Sequence, residues 1–196
     1  MIDRGKREMP SIFGIGLTFE VGLGAVALLL GLVMGIDPLH GITVGIVSVG
    51  IGAGASLPPL AVVYLIRRSR WDSLRSLVDS ARDLVRQFFS QLTFPQSVAL
   101  AAAAGFGEEL LFRGLLQSFL AARIGLIGAL LVTSVVFGLL HFVTKAYAAY
   151  AFLLSLYLGL LYAATGNILV PMLTHAVYDA VVLRYLGRNA EWNDDR

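Results

Sequence analysis

Residues 108–113 read Glu-Glu-Leu-Leu-Phe-Arg, inside a stretch apolar enough to sit in a lipid bilayer. An ionisable side chain at the centre of a membrane helix costs roughly 2.5–3.5 kcal/mol on insertion scales, so three together imply partners and a task. Glu109 and Arg113 are four residues apart, the spacing of a charge-assisted pair on one helix face. Glu108 is turned by about 100° from Glu109 and need not share that arginine. One carboxylate is thus neutralised in a pair, and the other is free to act as a general base. Two more pairs follow on later apolar segments, Phe137 with His141 and His175 with Asp179, each again four apart and on one face. A neutral imidazole can orient a water, donate to a developing oxyanion or bind a metal. Asp179 can fix the His175 ring by hydrogen bonding, and Phe137 reads as a core residue packed beside His141. The chemistry this set suggests is activation of water in a protected pocket.

Two ways of using these groups remain open on residue types alone. Glu108, His141 and His175 are a serviceable zinc set, with water in the fourth position. A metal-free base with oxyanion donors uses the same side chains. Glu20 stands isolated in the first apolar run and reads as paired or interfacial. His40 lies in a short loop and is expected to do nothing chemical.

These residues must be positioned by membrane helices. The chain has 196 residues, 57% hydrophobic and 14% charged, with mean hydropathy +0.78, whereas soluble domains run at roughly 25% charged. The expected fold is all-α, a multi-pass transmembrane bundle of about six spans near 11–36, 42–66, 96–121, 124–143, 147–165 and 167–186. Small-xxx-small spacings at Gly31/Gly35 and Gly50/Gly54 permit close packing, and Pro58-Pro59 should kink or break the second span. One amphipathic surface helix is expected at about 72–92. Leu74, Leu77, Val78, Ala81, Leu84, Val85 and Phe88 form its apolar face, with Arg75, Asp79, Arg82, Asp83 and Arg86 opposite. Arg4, Lys6 and Arg7 precede an apolar run that continues past Ala25-Val26-Ala27, which reads as a retained signal anchor. Arginines at 67–92, Lys145, Arg184 and Arg188 fall on one side of a six-span arrangement, so both termini are expected in the cytoplasm of a cell-membrane protein. With no cysteine, disulfides and thiolate chemistry are excluded. The net charge of +2 follows membrane topology and gives no sign of nucleic-acid binding.

EELLFRG at 108–114, FGLLH at 137–141 and HAVYD at 175–179 resemble, in order and on separate spans, the CAAX protease and bacteriocin-processing (Abi) family of intramembrane endopeptidases. The resemblance covers about residues 100–182 of a single integral-membrane domain, 1–196. It implies hydrolysis of a peptide bond in a membrane-associated substrate, which could be lipidated and CAAX-like or a bacteriocin-type peptide. It implies that Glu108 activates water with His141, that His175 and Asp179 stabilise the oxyanion, and that Glu109 and Arg113 support them, with Phe137 beside His141. No cofactor is then expected, zinc being the alternative. Two departures are visible: Asp179 stands where asparagine is common, and the prenyl-protein proteases have more spans. The competing readings are a non-catalytic immunity or scaffold protein binding a peptide partner, and a proton-coupled transporter. Internal repeats, which would favour transport, are not evident.

Overall fold

The computed structural model describes residues 11–188. Arg4, Lys6 and Arg7 lie outside the described residues, as do the side chains of Leu74 and Arg188. All described regular structure is helical: α1 (Ile12–Met34), α2 (Ile46–Gly54), α3 (Leu57–Arg68), α4 (Asp72–Phe89), α5 (Phe94–Glu109), a π-helical stretch Leu110–Gln117, α6 (Ser118–Leu140), α7 (Lys145–Thr165) and α8 (Leu169–Arg188).

Local chemistry sets the helix ends. Ser11 accepts from the Gly14 amide at the start of α1, and Gly35, at φ 66°, closes that helix in the left-handed region. The break expected at Pro58-Pro59 occurs one turn earlier: α2 stops at Gly54, and α3 restarts with Pro58 in its first turn. Thr93 and Gln96 form a reciprocal capping box at the start of α5, with Pro95 in the first turn. Thr144 caps α7 by accepting from Tyr147 N.

Four described helical stretches are long and apolar enough to cross a membrane: Ile12–Met34, Ile46–Arg68, Phe94–Leu140 and Lys145–Thr165. The third is two crossings. Gly125 sits at φ 76° and ψ 166°, a conformation open essentially to glycine. There the chain doubles back, so that the rings of Phe112 and Phe137 stand 4.9 Å apart. The spans expected at 96–121 and 124–143 are the two arms of this turn.

α8 is the central helix and is covered by protein over most of its surface, with Val181 left exposed. Leu158, Ile168, Met172 and Leu186 are buried to 1% exposure or less around it. Outward-facing side chains of α1 remain exposed, Leu32 at 81% and Val33 at 83%. That inversion suits lipid as the outer solvent, where polar groups must be satisfied inside. α4 ends at Phe89, a turn short of the expected 92. Its apolar face is pressed against the bundle: Leu77, Val78 and Val85 join Leu154, Leu158, Tyr178 and Leu186 in one core cluster.

Of the glycine spacings noted in the sequence, Gly50 and Gly54 pack against nothing within 4 Å, whereas Gly31 is closely packed, a Cβ there standing 2.6 Å from the Ile36 carbonyl oxygen of the following loop. Close approach between helices happens elsewhere. A Cβ on Gly105 would stand 2.7 Å from Ala176 N of α8, and one on Gly107 would collide with the Glu20 carbonyl of α1. These two positions let α1 and α8 close directly on the helix turn that carries Glu108 and Glu109.

Candidate active site

At the end of α5 the helix widens to π geometry over Leu110–Gln117. Such stretches are rare and recur at functional sites. Glu109, on the last α-helical position, is fully buried, and its Oε1 accepts from Arg113 Nη1 at 2.9 Å. The same oxygen accepts from His175 Nδ1 at 2.9 Å. Arg113, also fully buried, donates through Nη2 to the carbonyl and hydroxyl of Ser155 on α7, at 2.6 and 2.9 Å. The guanidinium thereby ties the π stretch to α7, and Glu109 ties both to α8.

Glu108 points the other way. Its Oε1 lies 4.0 Å from His141 Nε2, and its Oε2 is buried with no partner among the described residues. His141 is the C-cap of α6, and its ring stacks on Phe137 with centroids 4.2 Å apart and planes 16° apart. Its Nδ1 is 2.9 Å from the Phe137 carbonyl oxygen. A carbonyl only accepts, so Nδ1 carries a proton, and in the neutral ring Nε2 is then the unprotonated nitrogen turned toward Glu108. Two acceptors about 4 Å apart are spaced to take both hydrogens of one water.

His175 has both nitrogens engaged, Nδ1 by Glu109 and Nε2 by Asp179 Oδ2 at 3.5 Å. With the Nδ1 proton donated to Glu109, the contact to Asp179 needs one further proton, carried by either partner. Glu108, His141 and Asp179 line a cavity of about 300 Å³, and α4 supplies much of its apolar wall through Leu77, Val78, Ala81, Leu84 and Val85. His175 is not among the described residues lining it. Glu108, His141 and His175 accordingly do not form a metal-ligand cluster among the described residues.

The structure thus brings Glu108, Glu109, Arg113, Phe137, His141, His175 and Asp179 to one place. It also adds two features that the sequence left in the background. Glu20 on α1 lines the same cavity, and its Oε2 is buried without a partner among the described residues. The signal available was an acid alone in an apolar run. Tyr147, Tyr150 and Tyr178 face the cavity as well. Nothing in tyrosine's type or spacing separated them from ordinary core residues. His40 is exposed in the loop after α1, away from these groups.

Residues 90–181 match the family described as type II CAAX prenyl endopeptidase Rce1-like. The similarity to that family lies in this segment. It carries all three motifs, and the match agrees with the family they resemble. A relative from Bacillus subtilis (strain 168), the uncharacterized protein YpbD, is 37% identical over 99 residues, covering 49% of this chain and 48% of its own length. The chain therefore spans about half the length of that relative. No solved structure matches the chain. Glu20 and the α4 wall of the cavity lie outside the Rce1-like segment, so the cavity joins matched and unmatched parts of the chain.

Proposed function

We propose that the protein is an intramembrane endopeptidase that hydrolyses a peptide bond by glutamate-activated water, without a metal. The observation that carries this reading is the pairing of Glu108 with His141 Nε2 at 4.0 Å, facing a cavity inside the bundle, with Nδ1 held by the Phe137 carbonyl so that the neutral ring offers Nε2 as an acceptor. A water held by these two acceptors turns its lone pair outward. As it attacks the substrate carbonyl carbon, Glu108 takes its proton. The tetrahedral intermediate collapses when that proton passes to the leaving nitrogen and the C–N bond breaks, releasing an amine and a carboxylic acid whose remaining proton then passes to the amine, leaving carboxylate and ammonium. Glu109 and Arg113 hold His175 in place and do not meet the substrate.

The substrate is a membrane-associated peptide or protein, because the apolar α4 wall of the cavity suits an apolar or lipidated segment beside the scissile bond. Both termini and α4 face the cytoplasm, which admits substrate from that side. Mapping of new peptide termini in host membranes, wild type against Glu108→Gln at matched expression, tests the reading. Termini found only with wild type are expected. Their absence would favour a non-catalytic peptide-binding or immunity role. Activity that survives a chelator in metal-free protein is also expected; loss restored by zinc would overturn the metal-free mechanism.

A further inference from the structure

Hydrolysis through Glu108 needs a donor for the oxyanion, and the groups that face the cavity supply few. Three are carboxyls. His141 spends its Nδ1 proton on the Phe137 carbonyl and offers a lone pair at Nε2. His175 does not line the cavity, and both its nitrogens are turned to carboxylates. Beside the one proton shared between His175 and Asp179, the cavity holds tyrosine hydroxyls. Tyr150 donates toward the Pro59 carbonyl at 3.4 Å, and Tyr178, 6% exposed, packs against it with ring centroids 6.4 Å apart. Tyr147 has no such engagement: its amide is used in the α7 cap, while no hydrogen bond among the described residues holds its hydroxyl. It stands in the first turn of α7, six residues after His141, and shares the cavity with Glu108, His141 and Asp179.

We infer that Tyr147 is a catalytic residue of this site, its phenol donating to the carbonyl oxygen of the substrate as negative charge develops there. The inference rests on the hydrolytic reading above. An uncommitted hydroxyl in a site shielded from bulk water is preorganised for this task, and removing one such donor elsewhere lowers kcat by about 10²–10³-fold. The reaction stays balanced, because Tyr147 lends a hydrogen bond and keeps its proton.

The test uses the full chain in liposomes and a peptide whose cleavage depends on Glu108. Tyr147→Phe is expected to lower kcat by about 10²-fold or more with KM changed less than about threefold. An aldehyde of that peptide, which hydrates to a tetrahedral mimic, should lose affinity for Tyr147→Phe while the matching alcohol does not. A loss shared equally by aldehyde and alcohol would mark Tyr147 as structural and overturn the inference, as would a wild-type kcat. If Glu108→Gln cleaves as wild type does, the hydrolytic reading itself falls and takes this inference with it.

Discussion

At the scale of single residues, the site divides into a sealed half and an open half. Arg113 and Glu109 are both fully buried, and each closes more than one contact. Breaking a buried pair leaves an uncompensated charge, so Arg113→Met should destabilise the protein by about 3–5 kcal/mol, read from unfolding in detergent. Arg113→Lys should recover only part of this, since an ammonium cannot reach Glu109 and Ser155 with a planar fork. Wild-type stability in either variant would show that the pair is dispensable. Asp179 behaves differently. With the Nδ1 proton of His175 on Glu109, an asparagine at 179 can donate to Nε2 and satisfy a neutral ring with no extra proton. Asp179→Asn is therefore expected to stay active, whereas Asp179→Ala should lose roughly 10–100-fold as the ring loses its orientation. A folded but inactive Asp179→Asn protein would refute this account of the pair. The Glu109–Arg113 contact was legible because helical spacing places positions i and i+4 together. The Glu109–His175 contact was not, since only the packing of α5 against α8 brings residues 66 positions apart into reach.

At the scale of elements, small residues decide where the carboxylates stand. Gly107 lies one position before Glu108 and lets the α1 backbone touch α5 at Glu20. A methyl group there meets a carbonyl that cannot rotate aside, so Gly107→Ala should cost about 1–3 kcal/mol and push Glu20 away from Glu108. Reduced thermal stability together with lower peptide cleavage is the expected result; unchanged values would mean that the helices separate freely. Of the glycines to which the sequence pointed, Gly31 packs closely on the loop after α1 while Gly50 and Gly54 do not, because a four-residue spacing marks a packing stripe but not its partner. α4 shows the complementary case. Its period and charge pattern announced an amphipathic helix, yet periodicity alone does not tell lipid from protein as the apolar partner. Packing resolves this: Leu77, Val78 and Val85 are buried on the bundle, and together with Ala81 and Leu84 they line the cavity. Ala81→Phe should fill that space and raise KM for an apolar peptide while leaving stability near wild type. A KM unchanged by the larger side chain would remove α4 from substrate binding.

At the scale of the whole molecule, the arrangement has two distinct ends. Asn167, just before α8, donates to the Thr43 carbonyl and accepts from the Thr43 amide, joining the loop after α1 to the loop after α7. At the other end Arg67 bonds Tyr185 at the close of α8, and Arg184 lies over the Phe94 ring with 5.6 Å to its centroid. α4 belongs to this second end, where the arginines of α3, α4 and α8 collect. The membrane character and the all-helical fold were readable from composition, since lipid tolerates few alternatives to helices. α8 is not among the four membrane-length apolar stretches, because protein over most of its surface relieves it of the need to be uniformly apolar. The proposed orientation puts the arginine-rich end in the cytoplasm, as charge bias favours. The absence of cysteine from the chain makes this directly testable, as each introduced thiol is the sole reporter. Asp83→Cys on α4 should react with a membrane-impermeant maleimide only in inverted vesicles or permeabilised cells, whereas His40→Cys should react in intact cells. The opposite pattern would place the cavity toward the cell exterior and restrict substrates to exported peptides. Labelling of both positions from the same side would contradict an end-to-end separation that the helix order and the Thr43–Asn167 contacts require.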